Sequence, residues 1–432
     1  MIYSENEILQ YIDENDVKFV KLTFCDLSGR LKNISVLSSE MSAVFERGVK
    51  IAGKKLSGFG CAGGRDLFLF PDPQTMRVLP WRPQHGRVIR MFCYIKYADG
   101  THFEGDGRYF LKTAMKKAVK DGCCFRFGTT SEFTLFRCDE SGTATHIPHD
   151  HAGYCDIAPE DKGENFRRDV CLTLEQMGIH PVSSRHESGQ GQHEIDFNAS
   201  SALSAADTFL SFKSAVKSVA DQHGVHASFM PKPLRDDCGN GMHIGINLFH
   251  DNDLFGDGTT DADTAGELKS AAAGIMKYIC DMAVFTNTTA NSYSRLGEFS
   301  APRYVVWSDE EADQLIKLNN DSTCDAPIVL RAPDCVCNPY YVFGLMIYAS
   351  LEGISEKLTL PEKYDPSRSD YKVMPRTLAE AGSVAEQSEF LKRYVPQAVL
   401  DELLAMQSQE WKEYNSAYDK AVYEENKYFH TL

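Results

Sequence analysis

The chain has 432 residues, 43% of them hydrophobic and 25% charged, with a formal net charge of −16. That length exceeds one ordinary domain and predicts one large unit plus one small one. The acidic balance argues against nucleic acid or an anionic membrane as partner, and no apolar run approaches the ~20 residues of a membrane span. The opening MIYSENEILQ lacks the basic and apolar regions of a secretory signal. Cysteines are plentiful but never spaced C-x-x-C, which suits reduced thiols better than a disulfide framework or a structural zinc. These features predict a cytoplasmic protein.

In chain order, SENEILQYIDEND reads as a helix. VKFVKLTFCDLSGRLKNISV alternates apolar and polar residues around Gly29 and predicts a hairpin. DLFLFPDPQTMRVLPWRP is extended and proline-rich, and VIRMFCYIKYADG is a further strand, so the first ~102 residues form a small, mostly β unit. From Asp106 the pattern changes: GRYFLKTAMKKAVKDG predicts a helix closed by Gly122. Strands follow in CCFRFGTTSEFTLFRC, PVSSRHE, GQHEIDF and GMHIGINLF, with helices between them. In SAADTFLSFKSAVKSVADQHG the apolar Phe209, Phe212, Val216 and Val219 share one face, and the helix stops at Gly224. From about Pro361 to the end the chain reads as mainly helical. The larger unit is α+β with an antiparallel sheet.

The stretch RHESGQGQHEIDF places Glu187 and Glu194 around a glycine-containing turn. As a hairpin it sets both near the open end, where cross-strand neighbours come within ~5 Å. Like charges so placed require a shared proton or a cation between them. On SEFTLF, Glu132, Thr134 and Phe136 share a face; on GMHIGINLF, His243, Gly245 and Asn247 do, while Met242, Ile244 and Ile246 face the core. Three carboxylates and an imidazole on one concave face suit Mg²⁺ or Mn²⁺. The alternative is a pair of solvated carboxylates at a hairpin tip.

Longer motifs narrow the choice. GYCDIAPEDKGENFRRDVCLTLEQMGIHPVSSRHESGQGQHEIDF, GNGMHIGINLF, NSYSRL, RAPDCVCNPYYVFGLMIYASLEGI and VMPRTLAEA resemble the glutamine synthetase family, bacterial type I, over nearly the whole chain. The resemblance implies an α+β glutamine-synthetase fold. Its parts would be an N-terminal β-grasp domain over 1–102 and a C-terminal catalytic domain over 103–432, with a curved antiparallel sheet flanked by helices. It also implies a homo-oligomer, a dodecamer of two hexameric rings with sites between subunits. The family's reaction phosphorylates the glutamate side chain with ATP, and ammonia then displaces the phosphate.

Carried over residue by residue, the resemblance assigns a first divalent cation, Mg or Mn, to Glu132, Glu187 and Glu194. A second cation would fall to positions that read Thr130, His243 and Val329 here, leaving His243 as the one metal ligand of the three. The flap acid before Ala-Pro is Ser300, with Glu298 nearby as a substitute. Where family arginines contact phosphates, the chain has Glu310, Glu311, Ala312 and Lys317. The ammonium loop is absent in AGKKLSGFGCAGGRD, and Cys238 and Gly245 replace a usual asparagine and histidine. Substrate-binding Gly239 and Arg295 and the nucleotide-side Arg331 are kept. His146, His149 and His151, in HIPHDH, are placed on a loop with no family role.

The amino-acid half of the pocket thus reads as retained and the ATP and ammonium halves as dismantled, with no catalytic residue assignable. Three functions follow: an ordinary glutamate–ammonia ligase, a γ-glutamyl ligase for a bulkier amine, or a non-enzymatic member. The last would sense an amino-acid-like ligand or serve as a regulatory subunit beside an active paralogue. Loss of the phosphate arginines favours it, since phosphoryl transfer depends on such charges.

Overall fold

The computed structural model describes residues 3–82, 85–250, 262–310, 314–319 and 327–432. The chain opens with a helix, Glu5–Glu14, nucleated by a capping box: Ser4 Oγ accepts from the Glu7 N–H, and the Glu7 carboxylate accepts from the Ser4 N–H. Its Ile8 and Ile12 turn inward.

Six strands follow: β1 (Val17–Cys25), β2 (Leu31–Leu37), β3 (Val49–Ile51), β4 (Leu67–Pro71), β5 (Arg77–Val78) and β6 (Arg87–Tyr97). The expected β1–β2 hairpin forms. Gly29 at its turn has φ +80°, and a Cβ there would lie 2.8 Å from the Cys337 carbonyl oxygen. The sheet runs β2-β1-β6-β4-β3, with β5 on β6. The β1–β6 contact is parallel, a pairing that hairpin reasoning does not predict.

The second sheet contains β7 (Cys123–Cys138), β8 (Ala144–Pro148), β9 (Pro181–His186), β10 (Gln192–Ser201), β11 (Val225–Ser228), β12 (Met242–His250), β13 (Trp307–Ser308), β14 (Ile316–Leu318) and β15 (Ile328–Leu330). Its order is β13-β14-β15-β12-β7-β10-β9, with β8 and β11 also on β7. The pairs are antiparallel, as expected, except that β13 and β14 are parallel. Length makes β7 the organising strand: its 16 residues pair with β8, β10, β11 and β12.

Alternation on β12 sends Met242, Ile244 and Ile246 into the core, each fully buried. The helix Ala202–Gln222 covers that side with Phe209, Phe212, Val216 and Val219, the face expected from spacing. The C-terminal region corrects one expectation. Residues 361–377 are not helical; Pro361, Pro366 and Pro375 interrupt them, and Lys372 gives its carbonyl to the Val305 N–H. Helices begin only at Leu378.

Buried polar contacts join the two units. Arg108 forks onto Asp207 at 3.1 and 2.9 Å and reaches Asp72 at 2.9 Å. Asn338 Nδ2 donates to the Asp26 carbonyl at 3.0 Å.

Candidate active site

The sheet sets the candidate residues in rows. Glu194 on β10 is opposite Glu132 on β7 and opposite Arg185 on β9. One row along, Thr130 is opposite both Asp196 and His243. A row further, Gly245 faces Gly128 and Val329, and Val329 faces Lys317. Cross-strand partners project from the same face, so these side chains share one concave surface. Glu187 corrects the hairpin reading. It lies beside the turn, with its N–H bonded to the Gln192 carbonyl, and is not opposite Glu194.

Arg185, which motif reasoning passed over, is central to this surface. Its Nε lies 3.0 Å from Glu187, its Nη1 lies 2.8 Å from Asp196, and its Nη2 contacts Glu194. Glu194 is buried, and Glu187 is half-buried. Burial raises the Glu187 carboxyl, and Arg185 opposes that rise. Glu132 is pushed up to about 7 by burial, against the hydrogen bond it accepts from Gly241 N–H at 2.6 Å. His243 is held down at about 3 by burial and by Arg331 and Arg295, so its imidazole is neutral at working pH.

The donor chemistry of Glu132, Glu187 and Glu194 fits one hard divalent cation. The second position does not fit: Thr130 offers a neutral hydroxyl, Val329 only hydrocarbon, and His243 one imidazole. Glu310 is exposed and is 3.1 Å from Lys363. Glu311 and Ala312 lie outside the described residues. Glu298 and Ser300 are exposed, and the Ser300 carbonyl accepts from Arg331 Nη2 at 3.3 Å.

On the amino-acid side, Arg295 is buried and donates from Nη1 to the Ala332 carbonyl at 3.0 Å and from Nη2 to the Arg331 carbonyl at 3.1 Å. Gly239 is required by this packing, because a Cβ there would collide with the Pro231 carbonyl oxygen and lie 2.9 Å from Arg295 Cγ. Gln192 links the parts: its Nε2 donates to the Gly239 carbonyl at 3.0 Å and reaches Glu132 at 3.3 Å. Cys238 adjoins this loop, half-buried, with its thiol raised to about 11 by burial and Asp237. The amide of Gln192 had no chemical signal in the sequence, since it stands inside a turn-rich stretch.

Behind the hairpin lies a buried cluster of Asp150, His186 and His193, whose donor atoms fall within 4.8 Å of one another. It is a three-member group of metal-ligand type among the described residues, in which each ring nitrogen except His193 Nε2 is already bonded. His186 donates Nε2–H to Asp150 at 2.8 Å and Nδ1–H to the Glu187 carbonyl at 2.7 Å. Both partners are acceptors, so the ring is an imidazolium, in accord with its raised pKa. His193 Nδ1 accepts from Arg167 at 2.9 Å, and Arg167 pairs with Asp161 at 2.6 Å. This is an ion-pair network supporting the hairpin. The three histidines of HIPHDH are not brought together. His146 lies in β8, not a loop, and stacks on Phe429, while His151 bonds Gln190.

A two-unit chain with a β-rich N-terminal sheet and a carboxylate-lined curved sheet defines a recognisable class of protein. Residues 16–98 match the family model for the glutamine synthetase β-grasp domain, and residues 104–426 match that for the glutamine synthetase catalytic domain. The chain is 37% identical to a glutamine synthetase of Clostridium saccharobutylicum over 429 residues, covering 96% of both chains. It is also 37% identical to one of Methanosarcina mazei over 425 residues, covering 96% of this chain and 95% of the relative. A solved GmaS–ADP complex superposes with a TM-score of 0.85 at 23% identity over 99% of each chain. Ligand-free GmaS gives 0.85 at 24% identity, over 97% of this chain and 98% of that one. The chain belongs to the glutamine synthetase family, and the expected fold is borne out.

Proposed function

We propose that this is a glutamine-synthetase-family protein in which the family's ATP-dependent ligation of glutamate and ammonia is lost or strongly reduced. It acts in the cytoplasm as a sensor of a glutamate-type amino acid, or as a regulatory subunit assembled with an active paralogue. One Mg²⁺ or Mn²⁺ is held by Glu132, Glu187 and Glu194, where a cation would offset carboxylate charge beside the ligand. Gly239 and Arg295 receive the amino acid, and Arg331 stands on the nucleotide side. The observation that carries this reading is that Thr130 stands opposite His243 and Val329 stands opposite Gly245, one row along. Thr130, Val329 and His243 supply no carboxylate to help a cation neutralise a triphosphate, and Asp196, opposite Thr130, is already paired with Arg185, so ATP is a poor ligand.

A second reading is an active ligase, with ammonia or a bulkier amine. The near full-length identity to relatives named glutamine synthetase favours it. A coupled phosphate-release assay with glutamate, ATP, Mg²⁺ and ammonium, repeated with primary amines, separates the two. Background rates throughout support the degenerate reading. Turnover at ordinary enzyme rates with ammonium overturns it, and turnover only with a larger amine selects the bulkier-amine ligase.

A further inference from the structure

We infer that Arg185 is a resident counter-cation of the acidic pocket, and that a divalent cation entering the glutamate cluster competes with its guanidinium. The inference rests on the reading of Glu187 and Glu194 as cation ligands. Three observations carry it. Each guanidinium nitrogen has its own carboxylate: Nε with Glu187, Nη1 with Asp196 and Nη2 with Glu194. One planar cation therefore bridges three acids that would otherwise repel. Second, the oxygens it contacts on Glu187 and Glu194 belong to two of the three glutamates a metal would need. The guanidinium holds Oε1 of each, so a cation that takes both oxygens of either carboxylate must displace it, and one on the Oε2 atoms alone must sit beside a like charge. Third, Arg185 is on β9, the edge strand, and its side chain is 30% exposed. It can leave toward solvent without disturbing the core.

Exchange has an electrostatic consequence. Bringing in the metal costs the three charge-assisted contacts that Arg185 makes, so the apparent metal affinity is lowered by the worth of those contacts. In the metal-free state the same contacts hold the hairpin in place. Arg185 thereby makes the fold independent of the ion, and the released guanidinium becomes a mobile positive group at the rim of the pocket.

The test is Mn²⁺ titration by calorimetry on the intact protein, with Arg185→Gln and Arg185→Lys alongside the parent. Arg185→Gln is expected to bind Mn²⁺ at least threefold more tightly. Its thermal midpoint without metal should fall, and Mn²⁺ should raise that midpoint more than it does in the parent. Arg185→Lys keeps the charge but loses the fork, so it should also tighten binding, and it decides the matter if the glutamine variant does not fold. Unchanged or weaker Mn²⁺ binding in the folded variant overturns the inference. Glu194→Gln is the separate control: Mn²⁺ binding that survives it removes the cluster as the cation site, whatever Arg185 does.

Discussion

Glu132 and Glu194 stand directly opposite each other on β7 and β10, and Glu132 also accepts the Gly241 N–H. Glu132 in the fold titrates at about 7, against an ordinary value of 4.5, because it is buried. The folded state therefore holds this proton more tightly than the unfolded chain. Its contribution to stability is full below about 4.5 and is lost as pH rises through about 7. Metal-free protein should lose denaturation free energy between about pH 4.5 and 7, and Glu132→Gln should flatten that slope. Urea melts across that range measure it; an identical slope in the variant contradicts the assignment.

The second cation position gives a gain-of-function prediction. Each missing charge-stabilising group typically costs ~10²–10³ in rate, and such losses do not add simply. Restoring Thr130→Glu alone should leave phosphate release near background. A combined Thr130→Glu, Val329→Glu and Ala312→Arg variant should raise it, because it rebuilds the ligand pair beside His243 and one phosphate arginine together. Initial rates with glutamate, ATP and ammonium provide the readout.

Behind the pocket, Arg167 and Asp161 form a buried pair at 2.6 Å. Removing one partner of such a pair leaves an uncompensated charge and costs about 3–5 kcal/mol. Asp161→Asn should lower the denaturation midpoint markedly, and it should alter ligand binding only through misplacement of the hairpin. Denaturant titration checks the magnitude.

Phe19 and Leu37 are cross-strand partners on the N-terminal sheet and are 45% and 54% exposed. An apolar pair at that position suits a covered surface. The chain should form a large homo-oligomer, a dodecamer by the family expectation. Light scattering at micromolar concentration should give a mass far above 48.3 kDa; a monomer would refute it.

Periodicity and punctuation made most elements legible: the capping box at Ser4, the alternation of β12 and the stripe from Phe209 to Val219 each have a local cause. The β1–β6 pairing was not legible, because parallel contact between strands ~70 residues apart leaves no local trace. The non-helical stretch 361–377 was misread because the strong helices after it dominated the pattern. At the site, carboxylates were found through motifs. Arg185 was missed because an arginine on an alternating strand reads as an ordinary solvated side chain until its three partners are placed around it. His186 and Asp150 were missed for a similar reason, since their pairing joins a strand to a loop.

The hydrogen bond from Asn338 to the Asp26 carbonyl spans 312 residues of sequence. During synthesis the N-terminal unit emerges first, and it must wait for most of the catalytic sheet before this contact can form. At 5–20 residues per second that interval is roughly 15–60 s. Through it the turn at Gly29, which later abuts the Cys337 carbonyl, is uncovered on the nascent chain. The joint between the two units is therefore among the last parts of the molecule to close.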